Sequence, residues 1–239
     1  MRFVVILLLV SAGLSSCNYF IRERVRGDGN IASQTISVDS FRDIDASGAF
    51  TIRLRQDASS SVRVETDRNL IEYLDIYTKG NRLVIDTKRK FNLRPTREII
   101  VYVTAPQFRD IEVSGACNIR TDAPVRSDGD VNISVSGSSN IMMDLSAPRI
   151  NTDLSGSTTL QLRGTAREFI SEASGSSEIR CFELLTENTS LDLSGASDAE
   201  VSASRMLDVE ASGASNVVYT GNADVKSHTS GAGSVKKRG

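Results

Sequence analysis

A Ser-Gly pair recurs at nearly constant intervals along most of this 239-residue chain. From Ser114 onward, successive serines of these pairs lie 22, 19, 19, 20, 18 and 18 residues apart. A fixed period of about 19 residues is typical of a solenoid, in which each repeat is one coil and neighbouring coils share a core. Because Gly readily adopts positive φ and the residues after it are small, each pair predicts a tight backbone corner. The glycines of the eight pairs are Gly48, Gly115, Gly137, Gly156, Gly175, Gly195, Gly213 and Gly231.

The residues on both sides of each corner alternate between apolar and polar. An apolar, a polar and another apolar residue precede the Ser in most copies, as do Ile111, Glu112 and Val113. After the corner, a polar position is followed by an apolar one such as Ile119. This period of two indicates a short half-buried strand on each side of the corner.

The repeat therefore predicts an all-β fold, a right-handed parallel β-helix with rungs of about 19 residues and an irregular N-terminal capping segment. A β-propeller is the alternative, but its blades need about 40 residues and four strands each. We expect the β-helix domain to cover residues 31–239, with larger irregular coils over 47–113 and regular repeats over 114–235. Within the irregular part, the turn at Thr78–Asn81 predicts an antiparallel hairpin, and Phe91–Pro95 is predicted to be a projecting loop.

The first 17 residues have the features of a bacterial lipoprotein signal peptide. Met1 and Arg2 supply positive charge, and the apolar run that follows is too short to span a bilayer. Leu14 to Cys17 resemble a lipobox, which implies cleavage before Cys17 and acylation of that residue. The expected partner is thus a membrane, reached through a lipid anchor, with residues 18–30 as a polar tether. An ordinary signal peptide with an incidental Cys is the alternative.

Composition and cysteine spacing limit other functions. The net charge is −2 and Trp is absent, whereas a nucleic-acid binder would be strongly basic, so no nucleic-acid partner is expected. Cys117 and Cys181 lie three rungs apart, about 14 Å along a stack, which is too far for a disulfide. We therefore predict two free thiols.

The residue two positions before each Ser is acidic in six repeats. If the repeats stack in register, these carboxylates form a column on an outer face, about 5 Å apart. Three interpretations stay open: solvated acids, salt bridges to basic residues beyond the corner (Arg53, Arg120, Arg180 and Lys236), or a divalent cation. A second polar column follows the corner, from Thr51 to Ser234, and is interpreted as a structural stack or a glycan-binding groove. The acidic column comprises Asp45, Glu112, Asp153, Glu172, Asp192 and Glu210.

Several segments together resemble one known family. The lipobox, Arg24–Asn30, Phe41–Ile44, Val62–Thr66 and the serial Ser-Gly corners are similar to the bacterial head GIN domain family. That family consists of heads of auto-transporter adhesins, so the resemblance implies a β-helical fold and an adhesive role. It supplies no catalytic motif that could be carried over to this chain.

We therefore expect a lipid-anchored protein of the cell envelope, at the outer membrane, that acts as an adhesin or binding scaffold without catalysis. Its ligand would be a glycan or a protein, and no cofactor or metal is expected. A polysaccharide-cleaving β-helix enzyme is the alternative, and such a site needs clustered carboxylates. The sole histidine, His228, occupies the acidic position of the last repeat and is interpreted as a substitution within the repeat. No CxxC, HExxH or phosphate-loop motif occurs.

Overall fold

The computed structural model describes residues 22–238, which fold into a stack of β-coils. Strands account for 68% of the protein and helix for 3%, and parallel strands with a spacing of about 19 residues form a β-solenoid of about seven turns. The predicted parallel β-helix is therefore confirmed. No helix among these residues is long and apolar enough to cross a membrane.

The strands are short near the N-terminus and run through whole coils in the middle of the chain. They are β1 (Glu23–Arg26), β2 (Ile31–Ile36), β3 (Asp43–Gly48), β4 (Thr51–Gln56), β5 (Ser61–Asp67), β6 (Leu74–Lys79), β7 (Arg82–Thr87), β8 (Phe91–Arg94), β9 (Ile100–Ala105), β10 (Asp110–Gly115), β11 (Asn118–Thr121), β12 (Val125–Arg126), β13 (Val131–Gly137), β14 (Asn140–Gly156), β15 (Thr159–Gly175), β16 (Glu178–Cys181), β17 (Leu184–Leu193), β18 (Asp198–Ser202), β19 (Met206–Gly213), β20 (Asn216–Thr220), β21 (Asp224–Gly231) and β22 (Ser234–Lys237). A 3-10 helix, Arg68–Tyr73, precedes β6.

The first face of the solenoid consists of the strands that lead into the Ser-Gly corners. They pair in parallel in the order β3, β10, β13, the second halves of β14 and β15, then β17, β19 and β21. The register aligns the repeats without a shift, so that Gly115 pairs with both Gly48 and Gly137. All eight corner glycines have positive φ.

The corner glycines approach each other too closely for any side chain. A Cβ atom added at Gly156 would lie 2.4 Å from the carbonyl oxygen of Gly137 in the coil below. That same oxygen accepts a hydrogen bond from the N–H of Ser157 at 2.8 Å. The glycine therefore serves two purposes, because it adopts the positive φ of the corner and lets the next backbone come within hydrogen-bonding distance.

The second face consists of the strands that leave the corners. They pair in parallel in the order β4, β11, the first halves of β14 and β15, then β16, β18, β20 and β22. The polar column from Thr51 to Ser234 stands in register on this face. Its side chains bond along the stack: Asn216 Nδ2 donates to Asp198 Oδ1 and Ser234 Oγ donates to Asn216 Oδ1, each at 3.0 Å.

The core lies inside the coils and runs along the solenoid. In one coil the buried side chains are Ile141, Met143, Leu145, Ile150 and Leu154, each no more than 2% exposed. Burying a side chain of this size contributes about 1.5–3 kcal/mol. One coil alone would leave the two open sides of this core in water, so the stack is the smallest unit that buries it.

The coils nearest the N-terminus are not stacked in chain order. The coil of β3 and β4 has on one side the coil of β7 and β9, which comes later in the chain. On its other side lies the coil of β10 and β11. The antiparallel strands β6, β5 and β2 close this end of the solenoid, and the predicted hairpin is the β6–β7 pair.

Two expectations for this end are wrong. The sequence places a polar tether over residues 18–30, yet Glu23–Arg26 form β1, which pairs in parallel with β8. For the same reason Phe91–Pro95 is not a projecting loop. The sequence does not reveal β1 as a strand, because the strand has only four residues and three of them are charged. Only Val25 is half-buried.

The C-terminal end is open to water. Every residue of β21 is exposed, since no described coil covers it. Two of the three inward positions, which hold Val209 and Ala211 in the preceding coil, hold Ser227 and Thr229 here, and the third holds Val225. Polar inward residues, together with Lys226, make this edge a poor template for pairing with another strand.

Cys117 and Cys181 are both buried and unbridged, which confirms the prediction of two free thiols. Burial raises the pKa of the Cys117 thiol, and it raises the pKa of Cys181 to about 12. Both groups therefore remain protonated near neutral pH and act as small apolar side chains of the core.

A buried carboxylate joins the cap to the first coils. Asp67 accepts hydrogen bonds from the Gly29 N–H at 2.8 Å, the Thr96 N–H at 2.8 Å and the Thr96 hydroxyl at 2.7 Å. Burial alone would raise the pKa of Asp67, but these hydrogen bonds outweigh burial and hold the pKa below its usual value. The site is tightly packed, because a Cβ atom at Gly27 would lie 2.3 Å from this carboxylate.

Replacing Gly156 with Ala tests the stacked corner, with Gly80→Ala as the matched control. Gly80 has a φ of +60° but open space around it, so Gly80→Ala should cost only about 1 kcal/mol of backbone strain. Gly156→Ala should lower the free energy of unfolding by at least about 3 kcal/mol, because the methyl group also separates two coils. Urea unfolding followed by circular dichroism measures both. Equal losses would show that φ alone requires glycine at the corner.

Asp67→Asn should lower the free energy of unfolding by about 2 kcal/mol at pH 7, because it weakens three hydrogen bonds to a charged group. The folded-state pKa is lower than the unfolded value of about 3.9, so the carboxylate stabilises the fold above about pH 4. This contribution is lost as pH falls through the folded-state pKa, and the stability gap between variant and parent should close there. Asp75→Asn, at an exposed position, is the control. A difference in unfolding free energy between Asp67→Asn and the parent that stays the same in acid would contradict the stabilising role of the ionised Asp67 carboxylate.

Candidate functional site

The outer surface of the first face carries the acidic residues singled out in the sequence. They stand in one straight column with one residue per coil, and Ser134 and His228 fill the two positions that are not acidic. The corner serines form a second column beside it. We call these two columns together the acid face. In order, the acidic column is Asp45, Glu112, Ser134, Asp153, Glu172, Asp192, Glu210 and His228.

Among residues 22–238, only one carboxylate of the acidic column, that of Glu112, has a basic partner within 4.0 Å. Arg82 lies 2.9 Å from Glu112. The other five carboxylates form no ion pair within 4.0 Å with any residue in the described part of the chain. Neighbouring strands lie about 4.8 Å apart, and two like charges at that distance repel by about 0.8 kcal/mol even in water. The column thus retains a repulsion that the fold does not offset.

The salt-bridge interpretation of the acidic column is wrong. Arg53 and Arg180 lie on the outer surface of the second face, across the corner from the acids. There Arg53 is 2.6 Å from Asp122, and Arg180 is 2.7 Å from Glu178. The other two basic residues, Arg120 and Lys236, belong to the same column of the second face.

A neighbouring column on the first face shows how the fold offsets such repulsion elsewhere. Asn132 Nδ2 donates to Asp110 Oδ1 at 2.6 Å, and Asn151 Nδ2 donates to Asn132 Oδ1 at 2.7 Å. These amides bond along the stack where carboxylates would repel. At the start of this column the pKa of Asp43 is raised, first by burial and then by the charge of Asp110. The acidic column contains no amide of this kind.

A shallow depression of about 340 Å³ lies on the acid face where Ser134 interrupts the acidic column. The short serine side chain leaves space between Glu112 on one side and Asp153 on the other. Ser114 and Ser155 of the serine column line the same depression. Carboxylate and hydroxyl oxygens therefore surround a concavity that is open to solvent.

A second depression, of about 390 Å³, was not anticipated from the sequence. It lies at the first corners, between the loop that follows β8 and the start of the second face. Glu98 in this loop accepts a hydrogen bond from the Thr51 hydroxyl at 2.8 Å, which fixes the loop against the polar column. Pro95 was the only local signal of this loop, and it does not reveal which coil the loop packs against.

Two further expectations concern a metal and the anchor. Within residues 22–238, no three His, Cys, Asp or Glu side chains form a group that could hold a metal ion. His228 ends the acidic column beside Glu210, on the exposed strand β21. Cys17, the expected acylation site, lies outside the described residues.

Comparison with known proteins identifies relatives of this architecture. A family model described as "Putative auto-transporter adhesin, head GIN domain" matches residues 40–223. No curated protein matches the chain.

Solved structures of similar proteins include three from Bacteroides and Parabacteroides. A putative adhesin from Bacteroides fragilis NCTC 9343 has a TM-score of 0.82 at 19% identity, covering 90% of this chain and 100% of its own. A putative adhesin from Parabacteroides distasonis ATCC 8503 has a TM-score of 0.65 at 27% identity, with the same coverage. A putative lipid binding protein from the same organism has a TM-score of 0.66 at 21% identity, covering 91% and 100%. These matches support the solenoid fold over nearly the whole chain.

Asp192→Asn tests whether the acids of the column repel one another. This change removes a charge between Glu172 and Glu210, so it should raise the free energy of unfolding by about 0.5–1 kcal/mol at low ionic strength. The gain should nearly vanish at about 0.5 M salt, where screening is strong. Glu112→Gln is the control and should give no gain, because it also removes the partner of Arg82. If Asp192→Asn does not raise the free energy of unfolding at low salt, the acids of the column do not repel one another.

Proposed function

The chain belongs to the head GIN domain family, and on this basis we propose that it is a lipid-anchored binding protein of the outer membrane whose acid face contacts the ligand. An adhesin or binding role follows from the family and from the structures that resemble it. The anchor, the ligand surface and the absence of catalysis are parts of the proposal.

The unpaired acidic column is the observation that carries this proposal. A repeated position can hold any polar residue, and the Asn132–Asn151 column shows that amides fit the same surface. The carboxylates of neighbouring coils repel one another, and five of the six have no ion-pair partner in the described part of the chain. Keeping them therefore lowers the stability of the fold. Proteins depart from locally favourable choices mainly at functional sites, so we assign the acid face to ligand binding.

The chemistry of the acid face defines the class of ligand. Carboxylates accept hydrogen bonds, and the neighbouring serine hydroxyls both donate and accept them. Eight coils at about 4.8 Å span about 34 Å, so an extended ligand would meet the same groups at regular intervals. A hydroxyl-rich glycan or the basic surface of a protein fits this arrangement.

The exposure of the acids supports binding without catalysis. A carboxyl group that acts as general acid near neutral pH needs a desolvated setting that raises its pKa. Asp153, Glu172, Asp192 and Glu210 are instead exposed on an outer sheet surface. The sole histidine lies at the end of the column, on a strand that water surrounds.

The lipid anchor follows from the sequence around Cys17. The segment Leu14–Cys17 resembles a lipobox, and the first described residue, Arg22, is only five residues later. Two or more acyl chains on one residue hold a protein firmly at a membrane. A short connection of this kind would keep the solenoid close to the surface.

The proposal is tested with the mature chain, residues 17–239, carrying Cys17→Ser so that it stays in solution. Its binding is measured on arrays of polysaccharides and extracellular proteins. Reversing two adjacent charges of the acid face, with Glu172→Lys and Asp192→Lys, should weaken binding at least about tenfold, because the two lysines would repel a basic ligand and cannot accept hydrogen bonds from the hydroxyl groups of a glycan.

The same two coils offer a matched control. Glu178→Lys and Asp198→Lys reverse an adjacent Glu–Asp pair on the second face. This control should bind like the parent. Equal loss in both variants, or release of reducing sugar from a bound polysaccharide, would contradict the proposal.

A further inference from the structure

The cap end of the solenoid carries a cluster of basic side chains. All of them are exposed, and none forms an ion pair within 4.0 Å among residues 22–238. The protein as a whole has a net charge of −2, so this cluster reflects segregation of charge and not a basic composition. We call it the basic cap. It comprises Arg22, Arg24, Arg26, Lys88, Arg89, Lys90 and Arg94.

Strands β1 and β8 hold three of the seven residues of the basic cap on one surface. Arg24 pairs with Asn92, and Arg26 pairs with Arg94. Side chains of paired residues in a parallel sheet point to the same side, so these residues share the outward side. The opposite side carries Val25 and Leu93, and Leu93 packs against the core.

The turn Lys88–Lys90 brings three more residues of the basic cap to the start of β1. The Glu23 N–H donates to the Lys90 carbonyl at 2.8 Å, which places the turn beside the point where the chain enters the fold. The Lys88 N–H donates to the Tyr73 carbonyl at 2.9 Å. The Tyr73 and Phe91 rings pack edge to face with centroids 4.6 Å apart, which fixes the base of the turn.

The acids near this surface do not neutralise it. Glu23 stands on the side of Val25, opposite to Arg24 and Arg26. Asp86, just before the basic turn, forms no ion pair within 4.0 Å with a basic residue in the described part of the chain. The basic cap is therefore a positive surface with no internal partner.

We propose that the basic cap docks onto the anionic lipid head groups of the membrane that holds the acyl anchor. This inference rests on the proposed acylation of Cys17. Arg22 follows Cys17 by five residues, and an extended chain of this length reaches at most about 18 Å. Exposed positive charges are attracted to an anionic lipid surface within a screening distance of about 8 Å. The anchor therefore brings the basic cap to the surface that its charge fits.

The test uses the mature chain with Cys17→Ser, which has the basic cap but no acyl chain. Sedimentation with vesicles of phosphatidylcholine, alone or with about 30 mol % phosphatidylglycerol, measures binding. The parent should bind only the anionic vesicles and should lose this binding at about 0.5 M salt. Lys88→Gln, Arg89→Gln and Lys90→Gln together should lower the partition coefficient about 100-fold, or ~1 kcal/mol for each charge.

Two further variants make the test specific. The triple change of Arg24, Arg26 and Arg94 to Gln should cause a similar loss. Lys236→Gln, Lys237→Gln and Arg238→Gln remove the same number of charges from the opposite end and should leave vesicle binding within about twofold of the parent. Equal binding to neutral vesicles, or an equal loss in the C-terminal variant, would overturn the docking surface.

The anchor is measured separately, so the two proposals can fail independently. Incorporation of an alkyne fatty acid into the native chain in cells, and its loss in Cys17→Ser, reports acylation. If the native chain is acylated but its soluble form does not bind anionic vesicles, the anchor is supported and the docking surface is disproved. If the native chain is not acylated but its soluble form binds anionic vesicles through the basic cap, the docking surface is supported and the anchor is disproved.

Discussion

The close approach of backbones at the stacked corners is the constraint on which the rest of the structure depends. Each corner glycine from Gly115 to Gly231 leaves no room for a side chain between its coil and the one below, as the 2.4 Å between a Cβ at Gly156 and the Gly137 carbonyl oxygen shows. A sheet whose strands slipped by one residue would place every side chain on the wrong face. Because a slip would also bring a serine against the glycine carbonyl, the corners fix the register of every coil at once. The straight outer columns are a consequence of this fixed register.

A repeat that stacks on itself cannot also end the stack, and the two ends solve this problem differently. At the N-terminal end the chain leaves the repeat altogether. It inserts a later coil, β7 and β9, beneath an earlier one and covers it with antiparallel strands. The buried carboxylate of Asp67 joins these irregular pieces through three hydrogen bonds. At the other end the coil itself changes, because Ser227 and Thr229 replace two of the three inward apolar residues and so reduce the apolar surface that is exposed to water.

The sequence predicted those features that a local pattern determines, and it failed where distant segments meet. The period of the Ser-Gly pairs was sufficient to predict the coils, the columns and the separation of Cys117 from Cys181. Nothing in β7 or β9 indicates that they lie beneath β3 and β4, because that order depends on pairing between segments far apart in the chain. Strand β1 was interpreted as a tether because only Val25 is half-buried, and because its partner β8 lies 68 residues later in the chain. Arg53 and Arg180 were considered as partners of the acids because spacing along the chain does not give the angle of the corner.

Repetition also explains how charge is distributed over the molecule. An outward position of one coil is copied to the next, so a charged residue there becomes a column whose members repel one another. The Asp110–Asn132–Asn151 column limits this repulsion with amides, whereas the acid face retains it. Seven basic residues with no ion pair in the described part of the chain lie instead in the irregular cap, where no copy of a neighbouring coil dictates the residue. An anionic surface would attract the basic cap and repel the acid face, since fixed charges of opposite sign on one rigid body orient it in an external field. The two charged surfaces would then act together, with the basic cap at the membrane and the acid face extending away from it along the solenoid, free to bind a ligand.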